Sequence, residues 1–173
     1  MVLTIEPKNW YRDEYLVSTE PKLLQIDAVN EAMSSEMMWW AQGLPRATMK
    51  KALHNSLCLG LYKLPGSTSQ IAGHGAPVQV GLTRVVTDDV TFAYLTDVYI
   101  LPDYQGKGLG RWMMECLNEV IKGWAHLRRF MFLTSNTMDL YRKTLGAKDW
   151  NECKTECIMI GLIEGPAAGH PNH

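Results

Sequence analysis

A glycine-rich turn at residues 105–110 separates a strand-like segment from a helix-like one. Residues 92–101, before the turn, have the apolar alternation that predicts a strand. After the turn, apolar residues recur at steps of three and four, which predicts a helix with one buried face: Leu109, Trp112, Met113, Cys116, Leu117, Val120, Ile121 and Trp124. Because glycines let the backbone approach a ligand closely, we predict that N–H groups and the positive end of the helix bind an anion here.

The remaining segments predict a single mixed domain over residues 1–164. Further strands are expected at 15–18, 57–62, 78–87 and 130–134, with one or two closing strands in 150–162. Helices are expected at 21–33, 45–55 and 137–145. Residues 63–77 are expected to form a long loop, and residues 165–173 a disordered tail. This order predicts an α/β (α+β) fold, with a mixed sheet and helices on its faces.

Composition excludes several other classes. The chain has 173 residues, is 46% hydrophobic and carries a formal net charge of −1, so one buried domain is expected and a nucleic-acid partner is not. With no apolar run of about 18 residues and no signal-peptide pattern at the start, we expect a cytoplasmic protein with no membrane partner. Cys58 and Cys116 lie in apolar runs, and Cys153 and Cys157 have no nearby His or Cys pair. Reduced thiols and no metal site are therefore predicted.

The spacing of the glycines distinguishes between phosphate sites. A Walker A loop is excluded because Gly106-Lys107 is followed by Gly108 and not by Ser or Thr. The dinucleotide-binding fingerprint is excluded because Arg111 stands where its third glycine should be. Gln105-x-x-Gly108-x-Gly110, behind a strand ending in Val-Tyr-Ile-Leu-Pro, resembles the GNAT superfamily of acyl-CoA-dependent N-acetyltransferases. The resemblance is strongest over residues 91–150.

The resemblance implies a mostly antiparallel central sheet flanked by helices on both faces, and acetyl-CoA as co-substrate. It places the pyrophosphate on the turn and the pantetheine arm on the strand before it. It also assigns Tyr141 as the acid that protonates the departing thiolate. Where the family commonly has Asn, seven residues before this tyrosine, the chain has Thr134, with Asn136 nearby. The implied cofactor contacts are Val98, Ile100, Gln105, Gly106, Lys107, Gly108, Leu109, Gly110, Arg111, Thr134 and Asn136.

The sequence says less about the residues that would bind the amine that accepts the acetyl group. Asp97 stands where polyamine acetyltransferases of the superfamily carry an acidic residue, and we expect it to attract an amine or anchor a water. The alternative is that Asp97 only occupies a sheet bulge or caps a loop. Arg84 alternates with Val80, Leu82 and Val86, and we expect all four to share one apolar face. It is either paired inside the site or extended at a sheet edge. Trp39 and Trp40 either form an aromatic wall of the acceptor pocket or pack in the core.

Two classes of function remain open at this stage. The first is an enzyme that moves acetyl directly from acetyl-CoA to an amine, since no His has a triad partner for an acyl-enzyme route. A small-molecule amine is the preferred substrate, and a protein lysine or N-terminus is the alternative. The second class is a non-catalytic acyl-CoA-binding module. The acceptor, the acyl chain limit, a lid role for 63–77 and the choice between monomer and homodimer stay open.

Overall fold

The computed structural model describes residues 6–66 and 75–153. Within them, one six-stranded sheet runs in chain order, β1 to β6. The first four strand pairs are antiparallel and β5 with β6 is parallel, which confirms a mixed, mostly antiparallel sheet. The strands are β1 Asn9–Arg12, β2 Tyr15–Ser18, β3 Leu57–Lys63, β4 Val78–Thr87, β5 Phe92–Ile100 and β6 Arg129–Phe132; the helices are α1 Ile26–Met33, α2 Arg46–His54, α3 Leu109–Lys122 and α4 Met138–Leu145.

Two apolar layers lie on opposite faces of the sheet. Leu59 and Leu61 of β3 belong to the layer that packs on α3 and α4. Cys58, one position away, belongs to the layer that packs on α1 and α2. This is the alternation that the pleat of a strand imposes. Helices therefore cover both faces, as predicted.

Helix α3 has the buried face that its sequence predicts. Seven of the eight residues of the predicted stripe lie in α3 and are buried or pack against the first layer. Trp124 follows the helix and packs against the same layer, and Met114 is also buried. The helix begins immediately after Gly108, whose φ of +73° is in the left-handed region. A glycine is favoured there because it has no Cβ to clash.

Several boundaries differ from the sequence-based expectation. The predicted helix at 21–33 is a 3-10 turn, Pro21–Leu23, followed by α1, because Leu24 between them is extended. Strand β1 was not predicted. In the predicted closing strands, Trp150–Glu152 forms a 3-10 turn with a capping box. Residues 154–162 of that segment and the 165–173 tail lie outside the described residues.

Two bulges change which side chains share a face. In β4, Leu61 lies opposite Gly81 while Tyr62 lies opposite Gln79, so Val80 is an extra residue. Val80 consequently joins the α3 layer while Leu82 joins the α1 layer, and the prediction that both share a face was wrong. No helix in 6–66 or 75–153 has the length and apolar character to cross a bilayer.

Candidate active site

Strand β5 has an open edge beyond Leu95. It pairs with β6 over Phe92 to Leu95, and no described residue continues that ladder along the rest of β5. Val98 and Ile100 lie in this stretch, directly before the glycine turn. Edge N–H and C=O groups can hydrogen-bond an extended ligand arm. Gln105 reaches back to the same place, with Nε2 donating to the carbonyl of Ile100 at 2.8 Å.

The turn itself combines left-handed glycines with a helix start. Gly106 and Gly108 have φ of +75° and +73°. The first N–H groups of a helix have no partner within it, and here they belong to Leu109, Gly110 and Arg111. Trp112 makes the first backbone bond, from its N–H to the carbonyl of Gly108 at 3.1 Å. The unpaired donors and the helix dipole suit a phosphate group.

Three cationic side chains surround the turn. Lys107 Nζ donates to the carbonyl of Asp103 at 3.2 Å, and Arg111 pairs with Glu115 at 2.8 Å. Arg12 comes from β1, and its Nη2 donates to the carbonyl of Lys107 at 3.2 Å. Arg12 was not predicted because β1 is only four residues long and its sequence, Asn-Trp-Tyr-Arg, has no alternation of apolar and polar residues. Its position beside the turn depends on a contact across 95 residues.

Tyr141 lies on α4, in the layer that α3 and α4 share. Its residue is 7% exposed, and its ring packs on Phe132 with 4.4 Å between centroids. Burial raises the pKa of Tyr141, and a hydrogen bond from Thr137 partly opposes that rise. Thr134 and Asn136 lie in the loop between β6 and α4, where the hydroxyls of Thr134 and Thr137 are 2.7 Å apart.

Asp97 and Arg84 form an ion pair on the opposite face. Arg84 Nε is 2.6 Å from Asp97 Oδ2, and the two side chains are only 21% and 13% exposed. Arg84 Nη1 also donates to Ser56 Oγ at 3.2 Å. Leu82 lies opposite Tyr99 but Arg84 lies opposite Thr96, so Asp97 stands in a bulge of β5. Asp97 thus occupies a sheet bulge, as one alternative for this residue predicted, and Arg84 is paired, as one alternative for it predicted. A role of either residue in binding the acceptor stays a prediction.

The pair lines a cavity of about 180 Å³ beneath α1 and α2. Its other walls come from both helices and the segment between them: Met33, Ala41, Gln42, Leu44, Met49 and Ala52. Trp39 and Trp40 lie in the same segment, with their ring centroids 5.5 Å apart in an edge-to-face arrangement, and do not line the cavity. Trp40 packs against the second layer, and Trp39 is 43% exposed.

The predicted residues thus fall into two groups. The turn, the end of β5 and Tyr141 belong to the α3 side of the sheet, whereas Asp97 and Arg84 face the α1 side. The unpaired stretch of β5 lies between these groups. A ligand arm along this edge would have the glycine turn at one end and the Asp97 bulge at the other.

The family model for the acetyltransferase (GNAT) family matches residues 39–147, more than half of the chain. This chain belongs to the GNAT family. The match spans the turn, the open edge of β5 and Tyr141. This GNAT protein is therefore an acyltransferase, and acetyl-CoA is the co-substrate that the family generally uses.

Individual relatives agree with the family assignment. A protein of Gibberella zeae, described as a candidate acetyltransferase, is 50% identical over 98% of this chain and 100% of its own length. The thialysine N-epsilon-acetyltransferase of Bos taurus is 39% identical over 64 residues, which are 35% of this chain and 37% of that protein. A solved GNAT-family structure from Xanthomonas campestris pv. campestris, also described as a candidate acetyltransferase, gives a TM-score of 0.62 at 29% identity, covering 88% of this chain and 98% of that one.

The described residues also bear on metal binding. In 6–66 and 75–153, no group of three His, Cys, Asp or Glu side chains is arranged to hold a metal ion. The donors at the turn are N–H groups and cations, which suit an anionic ligand such as the pyrophosphate of acetyl-CoA.

Proposed function

We propose that this GNAT protein transfers the acetyl group of acetyl-CoA directly to a small-molecule amine within a ternary complex. The observation that carries the proposal is the edge of β5 beyond Leu95, which no described residue pairs with. This edge lies between the glycine turn and a separate cavity lined by Asp97 and Arg84. Donor and acceptor would approach from opposite faces and meet at this strand. The protein is proposed to act in the cytoplasm, as a monomer or homodimer.

The donor half rests on backbone groups. The N–H groups of 108–111 would bind the pyrophosphate of acetyl-CoA, and the exposed edge at Val98 and Ile100 would bind its pantetheine arm. Bound acetyl-CoA supplies an acetyl group activated as a thioester. A backbone N–H of this same edge would stabilise the negative charge that develops on the carbonyl oxygen.

The acceptor amine must lose its proton before it reacts. An amine of pKa ~10.4 is neutral in only about one molecule in 2,500 at pH 7, a deficit of roughly 4.6 kcal/mol. Burial in a cavity with apolar walls favours the neutral amine. Asp97 already binds Arg84, so we propose that it orients the amine or a water and does not act alone as the base.

The cavity favours a compact acceptor with a single amine. Its volume is about 180 Å³, and Met33, Leu44 and Met49 make its walls largely apolar. The charges of Arg84 and Asp97 cancel, so the pair offers no excess negative charge for a polycation. The similarity to the thialysine N-epsilon-acetyltransferase of Bos taurus supports a primary amine on a small molecule.

Tyr141 is proposed to donate a proton to the departing thiolate. Because burial raises its pKa, the phenol stays protonated at neutral pH and keeps a proton to give. Its place on α4, beside Phe132 at the end of β6, puts it on the same side of the sheet as the turn.

A panel of amines assayed for thiol release tests this function. We expect release above the hydrolysis background with small primary amines, and calorimetric binding of acetyl-CoA without any amine. Peptides with a free lysine or N-terminus form the second arm, since faster turnover of peptides would favour the protein-modifying alternative. Acetyl-CoA binding without turnover of any amine would favour the non-catalytic module.

A further inference from the structure

We propose that Arg12 is a positioning residue that pre-orients the glycine turn for the pyrophosphate of acetyl-CoA. This inference rests on the proposed function and adds a residue from β1, far from the turn in sequence. Arg12 would act through the backbone of Lys107 and Gly108, without needing to touch the ligand.

Arg12 is held against the turn from two sides. Its Nη2 donates to the carbonyl oxygen of Lys107 at 3.2 Å. Its guanidinium carbon lies 4.8 Å from the centre of the Trp112 ring, within the range of a cation–π contact. Trp112 belongs to the first turn of α3, so the same side chain contacts both the turn and the helix that follows it.

Because the peptide bond is planar, the contact between Arg12 and the Lys107 carbonyl also sets the direction of the Gly108 N–H group. The carbonyl of Lys107 and the N–H of Gly108 belong to one trans peptide unit, because the described residues contain no cis bond. In a trans peptide these two groups point in opposite directions. A carbonyl held toward Arg12 therefore directs the Gly108 N–H away from Arg12, to the other side of the turn.

Gly108 needs such a restraint more than most residues. Its φ is +73°, and a Cβ built there would have only Arg12 Nη2, at 4.0 Å, within reach. Packing around Gly108 therefore leaves its conformation largely unrestrained, and glycine is the residue with the widest choice of φ and ψ. The hydrogen bond from Arg12 restricts that choice at the neighbouring peptide.

The charge of Arg12 is also available to the turn. Within 6–66 and 75–153, the ion pairs use other cations, and Arg111 beside the turn is paired with Glu115. A charged donor on the Lys107 carbonyl polarises the peptide and strengthens its N–H as a donor. The cation also lowers the electrostatic cost of placing a pyrophosphate close by.

Neighbouring contacts hold β1 at this position. Trp10 Nε1 donates to Glu119 Oε2 at 2.7 Å. Glu119 lies two turns after Trp112 in α3. Strand β1 also pairs with β2 over all four of its residues. Arg12 thus reaches the turn from a fixed element, which is what pre-orientation requires.

The experiment compares two acetyl donors that differ in the pyrophosphate. Acetyl-CoA contains it, and S-acetylpantetheine has the thioester arm without it. The value of kcat/KM is measured for both donors with the wild-type protein, Arg12→Gln and Arg12→Lys, using the best amine of the panel. Arg128→Gln is the matched control, because it removes one exposed positive charge away from the turn.

We expect Arg12→Gln to lower kcat/KM for acetyl-CoA about tenfold, the lower end for loss of a charge-assisted hydrogen bond. The loss should lie in KM, and kcat/KM for S-acetylpantetheine should change less than about twofold. Arg12→Lys should recover part of the loss, since it keeps the charge but not the geometry of the guanidinium. Arg128→Gln should leave both donors unchanged.

Two results would overturn the role of Arg12 without affecting the proposed function. One is an equal loss of kcat/KM with both donors, which indicates a general structural effect, and the other is no loss of kcat/KM with acetyl-CoA. Calorimetry with acetyl-CoA separates these from failure of the proposed function. If the wild-type protein does not bind acetyl-CoA, both proposals are wrong. If it binds and Arg12→Gln binds equally well, only the inference about Arg12 is wrong.

Discussion

Arg84 on β4 and Asp97 on β5 are joined by a 2.6 Å contact at the point where β5 bulges. The bulge puts Asp97 at φ +50°, in the left-handed region that L-residues rarely adopt. Two requirements therefore coincide at Asp97, an unusual backbone conformation and a partly buried charge. Asp and Asn tolerate this region better than other non-glycine residues, which fits the residue found.

Three substitutions of Asp97 separate backbone strain from charge. Asp97→Ala and Asp97→Gly both leave Arg84 without its carboxylate, but only alanine retains a Cβ at φ +50°. Asp97→Ala should therefore lower the free energy of unfolding by about 1 kcal/mol more than Asp97→Gly. Urea unfolding followed by circular dichroism measures the difference. Equal stability of the two variants would contradict a strained backbone at this bulge.

Asp97→Asn serves as the matched control for charge. It keeps the shape and the tolerance for a left-handed backbone while removing the negative charge opposite Arg84. We expect it to cost about 2–3 kcal/mol, below the range for a fully buried pair because both side chains are partly exposed. In the double variant Arg84→Met with Asp97→Asn, much of this stability should return, since no uncompensated charge remains.

Sequence periodicity predicted the parts of this fold that depend on local pattern. The apolar stripe of α3 repeats over four turns, and strands β4 and β5 are long, so the helix and the two strands were predicted correctly. The GNAT resemblance added the mostly antiparallel sheet with helices on both faces. The bulge at Val80 was not predicted, and a bulge at Asp97 was only one of the alternatives for that residue, because each bulge is a mismatch between the lengths of two paired strands. A single strand read alone does not contain that information.

The same limit applies to contacts within the candidate site. The bond between Arg84 and Asp97 spans 13 residues and depends on the register at the bulge. The contact between Arg12 and Lys107 spans 95 residues and depends on the docking of β1 against α3. Arg84 and Asp97 were predicted from their residue types and positions, but no pattern in the sequence points to Arg12.

Gly108 and Gly146 form a matched pair for testing the phosphate turn. Their φ values are +73° and +68°, and a Cβ meets no crowded neighbour at either position. Alanine should therefore cost about 1 kcal/mol of stability at both. Only Gly108→Ala should also weaken acetyl-CoA binding, because Gly146 caps α4 away from the turn. Calorimetry on both variants measures this.

A larger substitution makes the same test stronger. Gly108→Glu adds a negative charge where the pyrophosphate is proposed to bind, so binding of acetyl-CoA should fall below detection. If Gly108→Glu binds normally, or if Gly146→Ala weakens binding as much as Gly108→Ala, the turn is not the phosphate site.

Tyr141→Phe should lower kcat with little change in acetyl-CoA affinity. Loss of a proton donor commonly costs roughly 100-fold in rate. Burial raises the pKa of Tyr141, so the wild-type phenol keeps its proton at alkaline pH. The rate should rise with pH as the amine deprotonates and should not fall before about pH 10, the ordinary value for tyrosine.

Initial rates between pH 6 and 10 with saturating acetyl-CoA measure this profile. Tyr11→Phe, which removes an exposed phenol, provides the control and should match the wild type. An unchanged kcat in Tyr141→Phe would exclude the phenol from the mechanism, and a falling limb below pH 9 would contradict the raised pKa.

The buried thiols predict a loss of stability in alkali. Burial raises the pKa of Cys58 to about 12, with Arg84 opposing and Asp97 reinforcing the shift. Burial likewise raises the pKa of Cys116 to about 12. In the unfolded chain thiols ionise near pH 8.5, so the folded state binds more protons above that pH. Stability should be constant below about pH 8 and fall by up to about 1.4 kcal/mol per pH unit for each thiol above about pH 9.

Urea unfolding at intervals from pH 7 to 10 measures this slope. Cys58→Ala should make the slope between pH 9 and 10 shallower, because one titrating group is gone. Val29→Ala is the control, since it removes buried apolar atoms from the α1 layer and should lower stability equally at every pH. Identical slopes in wild type and Cys58→Ala would show that Cys58 ionises alike in the folded and unfolded states.

Filling the cavity at Arg84 and Asp97 tests whether it holds the acceptor. Ala52 of α2 lines the cavity, whereas Ala47 of the same helix is exposed. A phenylalanine at Ala52 would occupy much of the 180 Å³, so Ala52→Phe should raise KM for the amine or abolish turnover. Acetyl-CoA affinity should stay at the wild-type value, because the turn lies on the other face of the sheet. Ala47→Phe should change neither quantity, and normal amine kinetics in Ala52→Phe would place the acceptor elsewhere.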